Sequence, residues 1–361
     1  MNRYILLTIL GLVLCLNIYI CWRLWRITPG IWAVKAAVVF IYIMWMTLMF
    51  VSFIHIEKMP LRMARIAYSV GNTWLIAFLY LLLAFITTRI VVLFRLLPAS
   101  FLKDSPLGFF IITGGVTLLM VAGHINYHRT DRKELTIITD KPLERELKIV
   151  LISDLHLGYH SRTAELKRWI ETINAENPDL VLTAGDFVDR SMRPLIEGGY
   201  AEYFHRLKAP IWTVFGNHEY YSNAHQAKQF FEKAGIRLLR DEKAEFGGIT
   251  VVGRDDRTNP ARKPLSAIAD NIKGFSILLD HQPYHLEEAQ NAGIDFQFSG
   301  HTHRGQVWPV SWITDFMYEK SWGHYRRGNT EYYITSGLGI WGARIRIGTR
   351  SEYLVLNIKN P

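Results

Sequence analysis

The sequence predicts an α/β protein in two parts: about four transmembrane helices over residues 1–127, then a layered α/β domain over residues 134–361. Three observations predict it. Residues 1–127 hold only two carboxylates, Glu57 and Asp104, among long apolar runs. From Glu134 onward, short apolar runs alternate with amphipathic stretches, the pattern of strands and helices packed in layers. Five of those short runs end in side chains that bind metals. Leu147–Ser153 leads to Asp154-Leu155-His156, and Asp179–Gly185 leads to Asp186. Ile211–Gly216 delivers Asn217-His218, Phe275–Asp280 delivers His281, and Phe296–Gly300 delivers His301-Thr302-His303. In open α/β sheets, ligands gather at the carboxyl ends of strands.

A helix needs about 20 mostly apolar residues to cross a bilayer. Tyr4–Trp22, Ile31–Ile54, Thr73–Leu97 and Leu107–Tyr127 meet or approach that length. A cleaved signal peptide is the rival reading of the first segment, but the run is long and no small-residue cleavage site follows it. Four spans return the chain to the side on which it began. That side carries Arg3, Lys58, Arg62, Arg65, Arg129, Arg132 and Lys133, against Arg23, Arg26, Arg95 and Lys103 on the other. The excess predicts an integral cell membrane protein with its soluble half on the cytoplasmic face. The net charge of +9 is read in the same way, as juxtamembrane basicity, so no nucleic-acid partner is expected. Intramembrane polar residues are few, namely Asn17, Lys35, Arg89, His124 and Asn126, which suits an anchor better than a transporter. Cys15 and Cys21 stand six apart on one apolar segment and do not face each other.

In the second part, Leu135–Thr139 and Leu147–Ser153 read as strands. Arg162–Glu176 reads as a helix with Leu166, Trp169, Ile170 and Ile173 on one face, and Asn177-Pro178 ends it. Further helices are expected over Ile196–Leu207 and His225–Ala234, each followed by a strand. Strands are expected over Leu180–Thr183, Ile249–Val252, Ile277–Leu279, Phe296–Phe298, Tyr332–Thr335 and Tyr353–Ile358.

Asp154 and His156 stand two apart, and His301 and His303 repeat that spacing. On an extended strand end each pair would share a face. Singly, each reads as an exposed histidine or an Asx turn. Together, five deliveries of carboxylate, imidazole and amide suit a metal cluster of nitrogen and oxygen donors. Read as Asp154-Leu155-His156, Gly185-Asp186-Phe187-Val188-Asp189, Gly216-Asn217-His218-Glu219, His281 and Gly300-His301-Thr302-His303, the chain resembles the calcineurin-like metallophosphoesterases. Pro283 and Gly337-Leu338-Gly339 extend the resemblance, which covers roughly residues 134–360.

The resemblance implies a two-sheet β-sandwich flanked by helices and a site for two divalent cations. By motif position, Asp154, His156, Asp186 and His303 would hold one cation. Asp186, Asn217, His281 and His301 would hold the other, with Asp186 shared. Such a pair clamps both the attacking and the leaving oxygen of an in-line displacement. His218 is the implied proton donor to the leaving group. Asp189 and Glu219 are expected to orient imidazoles. A donor set without thiolate points to Mn, Fe or Zn at a catalytic site.

The linker from Tyr127 to Leu135 is short, so the catalytic domain is expected close to the bilayer, its first partner. Between Gly305 and Glu331 lie Trp308, Trp312, Phe316, Tyr318, Trp322 and Tyr325, followed by Arg326-Arg327. That composition suits either a membrane interface or a loop packed on its own domain. Arg304, directly after His303, is a candidate contact for a substrate phosphate. The expected reaction is hydrolysis of a phosphate ester or pyrophosphate on a lipid-linked or membrane-proximal substrate, such as a UDP-diacylglucosamine-type precursor. A nuclease and a non-catalytic membrane receptor or scaffold are the competing readings. No ligand block is broken, which weighs against the scaffold.

Overall fold

The computed structural model describes residues 3–361; Arg3, counted above among the basic residues, has its side chain outside the described set. The chain divides into two compact units between Ile125 and Asn126.

The amino-terminal unit is helical. Helices Arg3–Ile27, Trp32–His55 and Leu61–Leu93 are followed by a fourth helical stretch from Pro106 to Tyr127. All four are long and apolar enough to cross a membrane. The third begins twelve residues before the expected start at Thr73. Arg62, Arg65 and Gly71 dilute the apolar signal there, yet no breaker follows Pro60, so the helix runs on. The fourth stretch contains a π-helical turn over Phe110–Gly114, beside the Gly114-Gly115 pair. Among the polar residues singled out in the sequence, Asn17 accepts from Tyr42 Oη at 2.7 Å and Lys35 pairs with Asp104.

The second unit is built from twelve strands. They are β1 (Thr130–Ile138), β2 (Leu147–Ile152), β3 (Leu180–Thr183), β4 (Ile211–Thr213), β5 (Arg237–Leu238), β6 (Glu242–Phe246), β7 (Ile249–Gly253), β8 (Phe275–Leu279), β9 (Phe296–Ser299), β10 (Gly323–Arg327), β11 (Thr330–Ile334) and β12 (Ser351–Lys359). They form two six-stranded sheets, ordered β1-β12-β2-β3-β4-β5 and β10-β11-β9-β8-β7-β6. Side chains alternate across each strand. Ile149 and Leu151 therefore face Val251, Ile277 and Phe298 in the core between the sheets. Val150 and Ile152 face the opposite way, onto Leu166, Trp169, Phe204 and Phe231 of the helical layer. A second helical layer covers Leu278, Tyr332 and Ile334 on the outer face of the other sheet. Two sheets sandwiched between helices is the predicted architecture.

Three sequence expectations need correction. Strand β1 starts at Thr130, not near Leu135, because its charged run Asp131-Arg132-Lys133-Glu134 sits on an edge strand that pairs with β12 over all nine residues. Only two residues then separate it from the last apolar helix. The helix expected over Ile196–Leu207 is two short ones, Arg193–Glu197 and Ala201–Phe204, interrupted by Gly198-Gly199. Gly199 adopts φ +62°, a conformation that ends a helix. Strands β6 and β10 are strongly charged and gave no apolar signal, whereas β5 is the strand expected after His225–Ala234.

Topology brings the motifs together. Strands β2, β3 and β4 run parallel, so their carboxyl ends share one sheet edge. Strands β8 and β9 are parallel as well, and their carboxyl ends carry His281 and His301. Strand β12 runs antiparallel to β2, so the starts of β12 and of its parallel neighbour β1 lie at the same edge as Asp154.

Candidate metal centre

Five of the seven candidate ligands have positive φ: Asp154 (57°), His156 (44°), Asp186 (54°), His301 (71°) and His303 (47°). The expectation that Asp154-x-His156 and His301-x-His303 lie on extended strand ends is therefore wrong. The strands have already stopped, and left-handed backbone turns the donors inward instead. For residues other than glycine such backbone costs of order 1–3 kcal/mol each and clusters at functional sites. Tight packing holds the turns. A Cβ on Gly216 would lie 2.1 Å from Asp186 Oδ1, and one on Gly300 would lie 2.3 Å from Asp154 Oδ2. Gly216 and Gly300 are there because the carboxylates occupy their side-chain space, and Gly185 because the Phe215-Gly216 backbone does.

The predicted ligands converge in two groups, Asp154–His156–His303 and Asp186–His281–His301, and a third cluster joins His156 to Asp189 and His218. His156 Nε2 lies 3.0 Å from His303 Nε2 and 3.6 Å from Asp186 Oδ2. Asp154 Oδ1 is 3.5 Å from His303 Nε2 and 3.8 Å from His156 Nε2. In the second group His281 Nε2 stands 3.1 Å from Asp186 Oδ2 and 3.1 Å from Asn217 Oδ1. Asp186 thus touches both groups. All seven predicted ligands meet at one place, and all but His301 are buried.

Electrostatics suit cation binding. Burial pushes the His156 imidazole down to about 3, with His218 adding to the effect. Burial likewise lowers His301 to about 4 and holds His303 well below the ordinary range. These rings are neutral at pH 7 and present lone pairs. Burial raises the Asp154 carboxyl to about 6, against the opposing His281 charge. Asp186 is held well below the usual carboxylate range by His281 and His218, despite burial. Two neutral imidazole nitrogens 3.0 Å apart share at most one proton, so a cation satisfies both. Ligand bonds of about 2.1 Å set neighbouring donors roughly 3–3.5 Å apart, close to the 3.0–3.8 Å found here. Against burial, the Asp186 and Asp154 carboxylates hold the His281 pKa well above its ordinary value; its Nδ1 lies 2.6 Å from the Ala184 carbonyl, so a cation would take the place of the Nε2 proton. The donor set fits divalent cations.

Around the ligands, Asp189 sits among three imidazoles, of which only that of His160 is within hydrogen-bond distance. Its carboxylate lies 3.6 Å from His218 Nδ1, 4.0 Å from His156 Nδ1 and 3.2 Å from His160 Nδ1. Glu219 does not orient an imidazole. It accepts the backbone N–H groups of Asp186, Phe187, Val188 and Gly216 at 2.7–3.2 Å, tying the two glycine-led turns together. His218 has a partly open ring 4.6 Å from that of His156, and its backbone N–H donates to Asp186 Oδ1. Arg304 stacks on Trp322 at 3.9 Å and lines a cavity of about 430 Å³ with Lys133 and Arg350.

Sequence reasoning missed His160 and Arg346. The buried Arg346 guanidinium donates to the carbonyls of Ser336, Gly337 and Gly339 at 2.7–3.2 Å, and burial pushes its pKa down to about 10. It thereby clamps the glycine turn whose Gly337 packs against Asp154 Cβ. A lone arginine in a loop carries no periodic signal. The glycine turn itself was the only pointer.

Comparison with known proteins agrees with this geometry. The model of the calcineurin-like phosphoesterase family matches residues 147–305. An uncharacterized metallophosphoesterase of Aquifex aeolicus is 31% identical over 255 residues, covering 67% of this chain and 97% of that protein. The chain belongs to the calcineurin-like metallophosphoesterases. An uncharacterized metallophosphoesterase of Helicobacter pylori is 32% identical over 240 residues, 63% of this chain and 64% of that one. A transmembrane protein with metallophosphoesterase domain from Danio rerio is 31% identical over 236 residues, covering 59% of this chain and 53% of that one. The chain thus spans less than two thirds of the Helicobacter and Danio relatives. Four candidate membrane spans precede the family domain.

Proposed function

We propose that this metallophosphoesterase hydrolyses a phosphate ester or pyrophosphate of a membrane lipid or lipid precursor, of which a UDP-diacylglucosamine-type molecule is the example. The observation that carries the hydrolytic reading is the meeting of seven nitrogen and oxygen donors around Asp186. Asp154, His156, Asp186 and His303 would hold one cation, and Asp186, Asn217, His281 and His301 the second. Bound there, a pair of Mn, Fe or Zn ions supplies Lewis acidity and positive charge at the phosphorus centre. The residues do the rest. Neutral His156, His301 and His303 keep their lone pairs directed inward. Asp189 orients His218, 3.6 Å away, and the partly open His218 ring gives its proton to the leaving oxygen. Arg304, held flat on Trp322, binds a substrate phosphate or other anionic group in the cavity it lines with Lys133 and Arg350.

Support for a lipid-borne substrate is the fourth apolar helix, which ends at Tyr127 two residues before β1. The excess of basic residues flanking the spans on one side supports a cytoplasmic catalytic unit. The test uses the full chain in detergent with added manganese. Turnover of an aryl phosphodiester by the wild type, absent from Asp186→Asn, is the expected result; no turnover by either would sink the hydrolytic reading. Lipid-linked pyrophosphates and oligonucleotides offered side by side then test the substrate class. Preference for the oligonucleotide would make the protein a nuclease.

A further inference from the structure

The helix Val310–Met317 has no buried residue, although it begins seven residues after His303. Within the helix Trp312 and Phe316 stand four apart, and Ile313 and Met317 repeat that spacing, so these four share one side, which Trp308 joins through its ring contact with Trp312. Phe316 is 92% exposed and Trp312 64%, and the Trp308 and Trp312 rings meet edge to face at 5.3 Å. Ser311 and Asp315 lie on the other side, where Asp315 accepts from Ser321 Oγ. The sequence left two readings for these aromatics. Tyr318 is buried on its own domain, whereas the stripe from Trp308 to Met317 is not.

The surroundings say what covers it. The chain leaves its last apolar helix at Asn126 and Tyr127, and both are tied to one loop. Asn126 Nδ2 donates to the carbonyls of Arg346 and Thr349 at 3.0 and 2.8 Å, and Ser351 Oγ donates to the Tyr127 carbonyl. The same loop anchors the start of the aromatic helix. Thr349 Oγ1 donates to the Gln306 carbonyl at 2.8 Å, and the Trp308 N–H donates to the Ile347 carbonyl at 2.7 Å. The aromatic stripe therefore begins a few residues, in space, from the point where the chain emerges from an apolar span. Tryptophan and phenylalanine beside aliphatic side chains, backed by a polar side, are the composition of a helix lying in a membrane interface.

We infer that Trp308 and the helix Val310–Met317 form a membrane-seating face, inserted about 5–10 Å into the boundary of headgroups and acyl chains. If the hydrolytic function proposed above holds, the seat keeps the metal centre at headgroup level, because the helix follows directly on the His301-Thr302-His303 block. It would select substrates presented by the bilayer over those free in solution.

The test is nitroxide accessibility on the full chain in vesicles of phosphatidylcholine and phosphatidylglycerol. Cys15→Ser and Cys21→Ser clear the background, and labels go on Trp312→Cys and Phe316→Cys. Ile138→Cys is the control, exposed at the far end of β1 and about 26 Å along the strand from Thr130. The expected result is relaxation by oxygen with exclusion of a water-soluble nickel chelate at 312 and 316, and the reverse at 138. Nickel access at 316 equal to that at 138 would overturn the proposal. Labels shielded from both reagents would also overturn it, by showing a protein partner or a second copy on this face. The labels report without any turnover, so membrane seating stands or falls separately from hydrolysis.

Discussion

Adding one methyl group at Gly300 tests how tightly the fold positions the centre. A Cβ there would lie 2.2 Å from Ser153 Oγ and 2.3 Å from Asp154 Oδ2, where ordinary contact begins at 3.4 Å. Either Asp154 or the Gly300 backbone must move by about 1 Å to relieve it. Neither move is local. The His301 N–H donates to both Asp154 oxygens, at 3.0 and 3.2 Å, and the Gly300 N–H donates to the His281 carbonyl at 2.9 Å. The displacement therefore passes to ligands of both proposed cations. Overpacking of this kind costs about 1–3 kcal/mol. A misplacement of about 1 Å costs a catalytic site on the order of 10²-fold in rate. Gly300→Ala should lose turnover of an aryl phosphodiester by about that factor and bind less metal, with a fall in Tm of only a few degrees. Gly293→Ala is the control, with φ +70° and no atom within 4 Å of the new Cβ. It should cost about 1 kcal/mol of stability and leave turnover unchanged. Wild-type turnover and full metal content in Gly300→Ala would refute the packing argument.

The same geometry sets three further expectations. His218→Ala should lower turnover by about 10²–10⁴-fold while metal content, read by plasma mass spectrometry, stays at wild type; lost metal would make His218 a ligand instead. Arg346→Met leaves the three carbonyls of the glycine turn without their buried donor and should destabilise the catalytic unit by about 3 kcal/mol or more, read by chemical denaturation. Burial pushes the Glu176 carboxyl up, but hydrogen bonds from Arg132 and Tyr353, both at 2.7 Å, outweigh it and hold it below the ordinary range. Because the folded value is lowered, its contribution is complete above the unfolded value of about 4.3 and disappears as pH falls through the folded one. Glu176→Gln should therefore cost about 1–2 kcal/mol at pH 7, and the gap to wild type should close in acid.

The sequence made the site legible and left its backbone obscure. Asp154, His156, Asp186, Asn217, His281, His301 and His303 were readable because each follows an apolar run, and parallel strands put their ends at one edge. What turns the donors inward is left-handed backbone at five of them, enforced by contacts such as Gly216 against Asp186. No strand or helix periodicity encodes a single residue with positive φ. Glu219 illustrates the same limit. Its place after His218 suggested an imidazole partner, yet it gathers four backbone N–H groups from two turns that meet only in the folded chain. The register of β1 was hidden for another reason. As an edge strand it carries Asp131, Arg132, Lys133 and Glu134, and charge there guards against wrong pairing while masking the strand. Arg346 was invisible because its three acceptors come from a loop up to ten residues away.

Anomalous diffraction from crystals of the full chain grown with manganese tests the central claim most directly. The account predicts two peaks about 3.5–4 Å apart with Asp186 touching both. One should lie among Asp154, His156 and His303, and the other among Asn217, His281 and His301. A single peak, or manganese bound away from Asp186, would contradict it.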